Sequence, residues 1–425
     1  MERRKGFALR SGSVFTMLVA ASLAGCDLTQ EARESSNRNV APEVGGGIDL
    51  LGDGIATVVE DTVPTCSMCG LEVQLRAVLG SAADPVLLRE LPDLVVRDSR
   101  GFTYAAVQFA LQQEIIVYAP DGSYVGVLGS IGEGPGEYLA VHGLALTGDS
   151  VVVLHDDIYV STFTPERRHA RTIRIQHRMH GPIVWIDSEM LAMGGWVPLP
   201  SLDTLPVHLF SPDGSLTNSL GTQNLANPPG PPERILGSGS GGTVWVAETN
   251  NYRLEELAPD GRTARVVGLR PPPSWGMRLV MTAAEAKAIN EGPVLVVTDQ
   301  VMARPERYVY QPAMRIASLQ RLDPSTIAVA VNVAAIGWDT LTVSYGPDMT
   351  HAAETDEMKE RKYRTAIDVV DHQLGQLLSR RFMNGWGFLV NDGSFVRPRY
   401  GSGDVIQIEV YDVRFNGTDG TEPGA

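Results

Sequence analysis

Cys66 and Cys69, in the run Thr65-Cys66-Ser67-Met68-Cys69-Gly70, form the sharpest chemical spacing in the chain. Two thiols so placed can close a small disulfide loop, attach haem, bind zinc or exchange electrons, and their neighbours choose among these. Haem attachment needs a His after the second Cys, where Gly70 stands. Zinc needs two further ligands, and no second CxxC or paired-histidine cluster supplies them. A thioredoxin-like role wants the motif to open a helix after a strand, whereas Pro64 precedes it and the strand-like run Leu71 to Leu79 follows. The pair reads as a structural disulfide, with redox activity as the alternative.

Other chemistry is sparse. The eight histidines are scattered; His177 and His180 come closest to a metal spacing but lack a third ligand. Gly-x-Ser-x-Gly, P-loop and HExxH motifs are all absent, so hydrolase, nucleotide and zinc-protease readings lose their usual support and no catalytic residue is assigned. The Gly-rich run Gly237 to Gly242 precedes a strand and not a helix, which is wrong for cradling phosphate. Trp196, Trp275, Trp338 and Trp386 stand beside Gly and Pro in loop-like sequence, placed to stack on a sugar or fill a partner's pocket. A net charge of -15 repels phosphate backbones, so nucleic acid is not an expected partner.

The elements that would position these groups repeat. Strand ends at Tyr118, Phe163, Phe210 and Leu257 are spaced by 45, 47 and 47 residues, and Asp368 and Tyr411 continue the series after one long interval. Three of them open near-identical turns: Tyr118-Ala119-Pro120-Asp121-Gly122, Phe210-Ser211-Pro212-Asp213-Gly214 and Leu257-Ala258-Pro259-Asp260-Gly261. Pro presets φ, Asp bonds back to the backbone and Gly takes positive φ, so Asp121, Asp213 and Asp260 are turn residues. A period of this length, with 44 Gly and 27 Pro, predicts an all-β, six-bladed β-propeller. The long interval from Leu257 to Asp368 carries two insertions, with helical composition at Thr282 to Glu291 and Thr350 to Arg364. The last unit shows three strands, Trp386 to Val390, Ser394 to Tyr400 and Asp404 to Phe415. Its fourth is expected to be Leu71 to Leu79, which would close the ring.

In such a ring, polar groups after inner strands converge on a central channel. By this reasoning the channel candidates are His155, Asp156 and Asp157 in blade two, and Glu248, Asn250 and Asn251 in blade four. Turn formation and inter-blade hydrogen bonding are the competing uses of the same side chains.

The segment Gly241-Gly242-Thr243-Val244-Trp245-Val246-Ala247-Glu248, followed by Asn250-Asn251-Tyr252-Arg253-Leu254 and the Asp260-Gly261 turn, resembles the NHL repeat of β-propellers. Gly132-Glu133-Gly134-Pro135-Gly136-Glu137-Tyr138 resembles that family's Gly-rich lead-in to an inner strand. Oxygen ligands from several blades would suit calcium, as in propeller lactonases of the gluconolactonase and paraoxonase type.

At the amino end, Arg3, Arg4, Lys5 and Arg10 lead into the apolar stretch Val14 to Ala24, the pattern of an export signal. It ends Leu23-Ala24-Gly25-Cys26, which resembles the lipobox of bacterial lipoproteins and implies a lipid on Cys26. The expected layout is a signal peptide over 1–25, a flexible tether over 26–65, the propeller over 66–417 and a disordered tail over 418–425. The expected role is a body held to the cell envelope by its lipid, facing periplasm or exterior, that binds a protein or glycan partner. A calcium-dependent hydrolase is the alternative.

Overall fold

A computed structural model describes residues 55–417. Positions 60–61, 109, 112, 177, 180, 187–189, 195–206, 222–233, 249–251, 273–274, 276–277, 281–294, 298–299, 303–308, 312–313, 336–360, 402 and 404 lie outside the described set. Signal, tether up to residue 54 and tail are also outside it, as are Cys26, Trp196, Asn250, Asn251, Trp338 and the expected helix over Thr282 to Glu291. Of the second expected helix, only residues 361–362 are described as helical, and Tyr363 already belongs to a strand.

The fold is a six-bladed β-propeller. Two strands come first, β1 (Ile55–Val59) and β2 (Gly70–Leu79). Blade one is β3 to β6 (Leu94–Arg97, Thr103–Ala106, Ile115–Tyr118, Tyr124–Leu128), followed by the short pair β7 (Ser130–Ile131) and β8 (Glu137–Tyr138). Blade two is β9 to β12 (Val141–Thr147, Ser150–His155, Tyr159–Phe163, His169–Arg174), and blade three β13 to β16 (Ile183–Ile186, Met190–Gly194, Val207–Phe210, Leu216–Leu220). Blade four is β17 to β20 (Arg234–Ser238, Val244–Glu248, Arg253–Leu257, Thr263–Leu269). Four short strands then occupy the first insertion, β21 to β24 (Arg278–Val280, Leu295–Val297, Gln300–Met302, Val309–Gln311), paired β21 with β24 and β22 with β23. Blade five is β25 to β28 (Arg315–Arg321, Thr326–Ala334, Tyr363–Asp371, Gln376–Asn384). Blade six is β29 to β31 (Phe388–Leu389, Phe395–Tyr400, Ile406–Asn416) with β2 as its outer strand, paired antiparallel to β31 from Gly70↔Asn416 to Leu79↔Ile408. The ring thus closes by joining the two ends of the chain, as the missing fourth strand required.

Packing follows the period-2 pattern of the strands. In β26, Ile327, Val329, Val331 and Val333 pack between blades four and five, while Ala328 and Ala330 on the opposite face pack between blades five and six. In β18, Trp245 and Ala247 face blade five and Val244 and Val246 face blade three. The described core accordingly divides into six clusters, one at each junction of neighbouring blades. At the closing junction the buried Arg97 donates to Asp392 Oδ2 at 2.7 Å and to Ser394 Oγ at 2.6 Å, which holds blade one to blade six.

The Pro-Asp-Gly turns are architecture. Asp121, Asp213 and Asp260 each accept the backbone N–H two residues on, at 3.0, 3.1 and 3.1 Å. Gly122 and Gly214, at φ 90°, leave room for a neighbouring blade. A Cβ there would lie 2.6 Å from the Val78 carbonyl oxygen and 2.7 Å from that of Arg174, respectively.

Two boundaries differ from expectation. Residues 55–59, expected to be tether, form β1, which adds to blade four parallel to β20; their β-branched run Ile55-Ala56-Thr57-Val58-Val59 outweighs the Gly-bearing surroundings. The third strand of blade five ends at Asp371, not Asp368, which is buried within it.

Candidate binding face

Within each blade the strands are consecutive and antiparallel, so their ends alternate between two faces of the ring. Connections from first to second strand and from third to fourth leave from one face; among the described residues they are hairpins such as 98–102, 119–123, 164–168, 211–215, 258–262 and 390–394. Connections from second to third strand, and from blade to blade, leave from the other. On that face lie the strand ends joined by the insertion between β20 and β25, by the insertion between β26 and β27, and by the links between β14 and β15 and between β16 and β17. Of the candidates named from the sequence, the described ones, His155, Asp156, Asp157, Glu248, Trp275 and Trp386, belong to a connection or a strand end on this same face.

Blade two shows what its candidates do. His155 ends β10, the second strand and not the innermost one, and Asp156 and Asp157 form the turn to β11 with φ of 49° and 67°. Left-handed backbone costs a non-glycine residue about 1–2 kcal/mol, less for Asp, and persists where the surroundings over-determine it. Here Asp156 accepts the N–H groups of Leu139 at 3.1 Å and Ala140 at 3.0 Å, and its own N–H donates to the Ala140 carbonyl at 3.1 Å. Asp157 pairs with His142 Nδ1 at 3.2 Å, and its carbonyl accepts from the Met179 N–H at 2.8 Å. The turn therefore clamps both the entry to blade two and its exit.

Behind the turn runs a side-chain chain of one polarity. With Asp156 fixing the proton on His155 Nδ1 (2.9 Å), Nε2 accepts from Ser161 Oγ (2.9 Å). Ser161 then accepts from Thr172 Oγ1 (2.7 Å), which in turn accepts from His169 Nε2 (2.8 Å). Burial holds the His155 pKa below its ordinary value, against the opposing pull of Asp156. The order Asp-His-Ser is that of a hydrolytic triad. Ser161 is only 1% exposed and its hydroxyl is already shared with Thr172, so a substrate carbonyl has no approach to it. The chain serves blade two's internal packing.

The tryptophans separate similarly. Trp275, expected as a free loop aromatic, is 2% exposed. The Arg380 guanidinium lies 4.4 Å from its ring centroid, and Tyr252 and Phe382 pack against it. Trp386 is half-buried, edge-on to Phe388 at 5.5 Å, with the Asn332 amide oxygen accepting from its Nε1 at 2.6 Å. Loop sequence did not imply exposure because the roots of both connections turn back onto the blades.

Sequence reasoning missed the group beneath Trp275. Arg380 Nε and Nη2 each donate to the Asp368 carboxylate at 2.6 Å, Arg380 Nη1 donates to the Thr62 carbonyl at 2.7 Å, and Tyr252 donates to Asp368 Oδ2. Burial acts to lower the Arg380 pKa, but the Asp368 hydrogen bonds and charge outweigh it and leave it raised; burial and then the Asp368 charge raise that of Tyr252. An acidic residue in mid-strand opposite an arginine, Asp368↔Arg380, was the available signal.

Exposed apolar side chains stand on this face near blades one and two, among charged ones such as Glu133 and Arg178. Leu111 is 73% exposed and bridges to Ala140, beside the partly exposed Leu139, and Tyr159 stacks on His155 at 5.6 Å. Among the described residues no group of three or more His, Cys, Asp or Glu side chains is arranged to hold a metal ion. In blade two, His155, Asp156 and Asp157 make the hydrogen bonds and the ion pair described above. In blade four, Glu248 ends β18, and Asn250 and Asn251 lie outside the described residues.

No family model matches the sequence, and no curated protein resembles it in sequence. Among solved structures it is similar to a Bacteroides fragilis protein described as exported, at a TM-score of 0.48 and 10% identity, over 85% of this chain and 99% of that one. It is also similar to virginiamycin B lyase from Staphylococcus aureus, at 0.41 and 9%, over 80% and 99%. Glutaminyl cyclase from Myxococcus xanthus follows at 0.33 and 12%, over 65% and 92%. Likenesses this distant carry no activity across, and the six-blade assignment rests on the strand pairing itself.

Proposed function

We propose that the chain is a lipid-anchored, extracytoplasmic propeller of NHL-like type that binds a protein or glycan partner through its long-connection face. One observation carries the reading: the strand ends that the two insertions join lie on a single face, as do His155, Asp156, Asp157, Trp275 and Trp386, while the described hairpins on the other are tight. Connections held by a rigid scaffold are where recognition is usually built. The exposed Leu111 beside Leu139 and Tyr159 adds an apolar contact area to that face. The Leu23-Ala24-Gly25-Cys26 run supports the anchor, and the acidic net charge favours an aqueous position over adsorption to anionic lipid.

The test places a photo-cross-linking residue at Leu111 on the long-connection face, or at Arg262 in the Asp-Gly turn of the opposite face, in cells making the full chain. Cross-linked products are expected from position 111 and not from 262; equal yields, or products from 262 alone, refute the assignment of the face. Cys26→Ser is expected to abolish incorporation of labelled palmitate and release the protein from membranes.

A further inference from the structure

The geometry points to the Cys66–Cys69 disulfide as a redox latch: reduction by an external dithiol would release an N-terminal strap from blade five and, with it, the root of the first insertion. This goes beyond the binding role and does not rest on it.

The strap comprises the described residues 55–59 and 62–79, which lie against three blades. β1 extends blade four as a fifth strand, residues 62–65 lie along β28 of blade five, the disulfide follows, and β2 completes blade six. Its two ends are anchored by core side chains, Val59 in the junction of blades four and five and Leu71 in that of blades five and six.

Between them the hold is thin. Val63, Pro64, Thr65, Ser67 and Met68 are exposed, and Thr62, Cys66, Cys69 and Gly70 are half-buried. Among the described residues, the stretch is held by Arg380 Nη1 on the Thr62 carbonyl at 2.7 Å and by the Leu377 carbonyl, which accepts from Thr65 N at 2.9 Å and Thr65 Oγ1 at 3.2 Å. A segment with so few buried apolar contacts opens at a lower free energy than the blades do.

The disulfide does not tie the strap to the body, since both cysteines belong to the strap. It constrains the four-residue loop that carries the chain from its Thr65 pin to the start of β2, where the Cys69 N–H also meets Cys66 Sγ at 3.0 Å. Met68 at the loop tip is 79% exposed, and both cysteines are only half-buried, beside the exposed Ser67 and Met68. In the step itself, a thiolate of the dithiol attacks one sulfur and the other leaves as thiolate. The reductant's second thiol then displaces the first cysteine, so Cys66 and Cys69 gain two electrons and two protons and the dithiol departs as a disulfide.

Release would be felt beyond the strap. The Arg380 group that holds Thr62 also lies over Trp275, and the Arg270 N–H at the start of the first insertion donates to the Val59 carbonyl at 3.1 Å. Strap and insertion root are thus linked directly by the Arg270–Val59 hydrogen bond and indirectly through Arg380 of blade five.

Hydrogen exchange read by mass spectrometry decides the matter on the full chain in three forms: oxidised, reduced with dithiothreitol, and Cys66→Ser/Cys69→Ser. The expected result in the latter two is exchange faster by about tenfold or more at residues 62–69 and at the amides of Trp275 and Met314, with blades one to three unchanged. Unchanged rates overturn the proposal, as does acceleration confined to 62–69. An equal rise in all six blades overturns it too, because that is the signature of a staple and not of a latch. So does a disulfide that dithiothreitol reduces only once the blades have unfolded.

Discussion

Replacing Asp368 by Asn tests whether blades four and five are locked by charge or by shape. The Asp368 carboxylate takes two arginine donors at 2.6 Å and the Tyr252 hydroxyl, and the side chains of Arg380 and Asp368 are 8% and 1% exposed. The amide is nearly isosteric, so packing survives, but the Arg380 charge is left in the junction without its counter-ion. Breaking a buried pair from one side costs about 3–5 kcal/mol. Arg380→Met is expected to cost a similar amount, since it strands the carboxylate with Tyr252 alone. The pair's own geometry then sets the double variant: with both charges gone no ion is stranded, and Asp368→Asn/Arg380→Met should lose less than the sum of the singles by about 2–3 kcal/mol. Urea unfolding followed by tryptophan fluorescence measures all three, and Trp275, stacked under Arg380, lies inside the perturbed region. Single losses below about 1 kcal/mol, or strict additivity, would show that the apolar cluster around Trp245 and Val329 holds the junction unaided.

Two further perturbations follow from the geometry. Gly122→Ala forces a Cβ to within 2.6 Å of the Val78 carbonyl at φ 90°, whereas Gly403→Ala, at φ 74°, meets nothing within 4 Å. The first should cost about 2 kcal/mol or more and the second about 1 kcal/mol, the backbone term alone, in paired denaturation curves. His155 gives a pH dependence. Its folded pKa is lowered, so below about pH 6.5 the unfolded chain binds the proton first. The stability it contributes is present above that pH and is lost as pH falls toward the folded value. Urea midpoints should drop between pH 7.5 and 5.0, and His155→Gln should flatten the drop; an unaltered slope would remove His155 from the account. His372, lowered by burial and then by Arg265, supplies a remaining slope in the same direction.

The candidate site was less legible than the fold. His155, Asp156 and Asp157 stand at the β10–β11 turn, where their side chains reach Leu139, Ala140, Ser161 and His142. The continuously apolar runs Val151 to Leu154 and Val244 to Ala247 look like inner strands, yet the Gly-containing β9 and β17 lie inside them. Trp275 carries a loop's local signature and a core residue's burial, because Arg380, more than a hundred positions later, folds over it. Nothing local distinguishes Asp368 from a turn aspartate until its strand is paired with β28.

Local chemistry settles local geometry, and so the sequence by itself determined the turns, the blade period, the alternation that sends Trp245 one way and Val246 the other, and the need for Leu71 to Leu79 to close blade six. Turn φ values and side-chain alternation depend on residues within a few positions of one another. Only the tertiary structure decided which face gathers the strand ends of the long connections, that residues 55–59 and 62–65 pack on the blades, and that Asp368, Arg380, Tyr252, Trp275 and Thr62 form one connected group. Those depend on contacts between segments up to about three hundred residues apart. Their partners are chosen by ring closure and strand register, which no single stretch of the chain encodes.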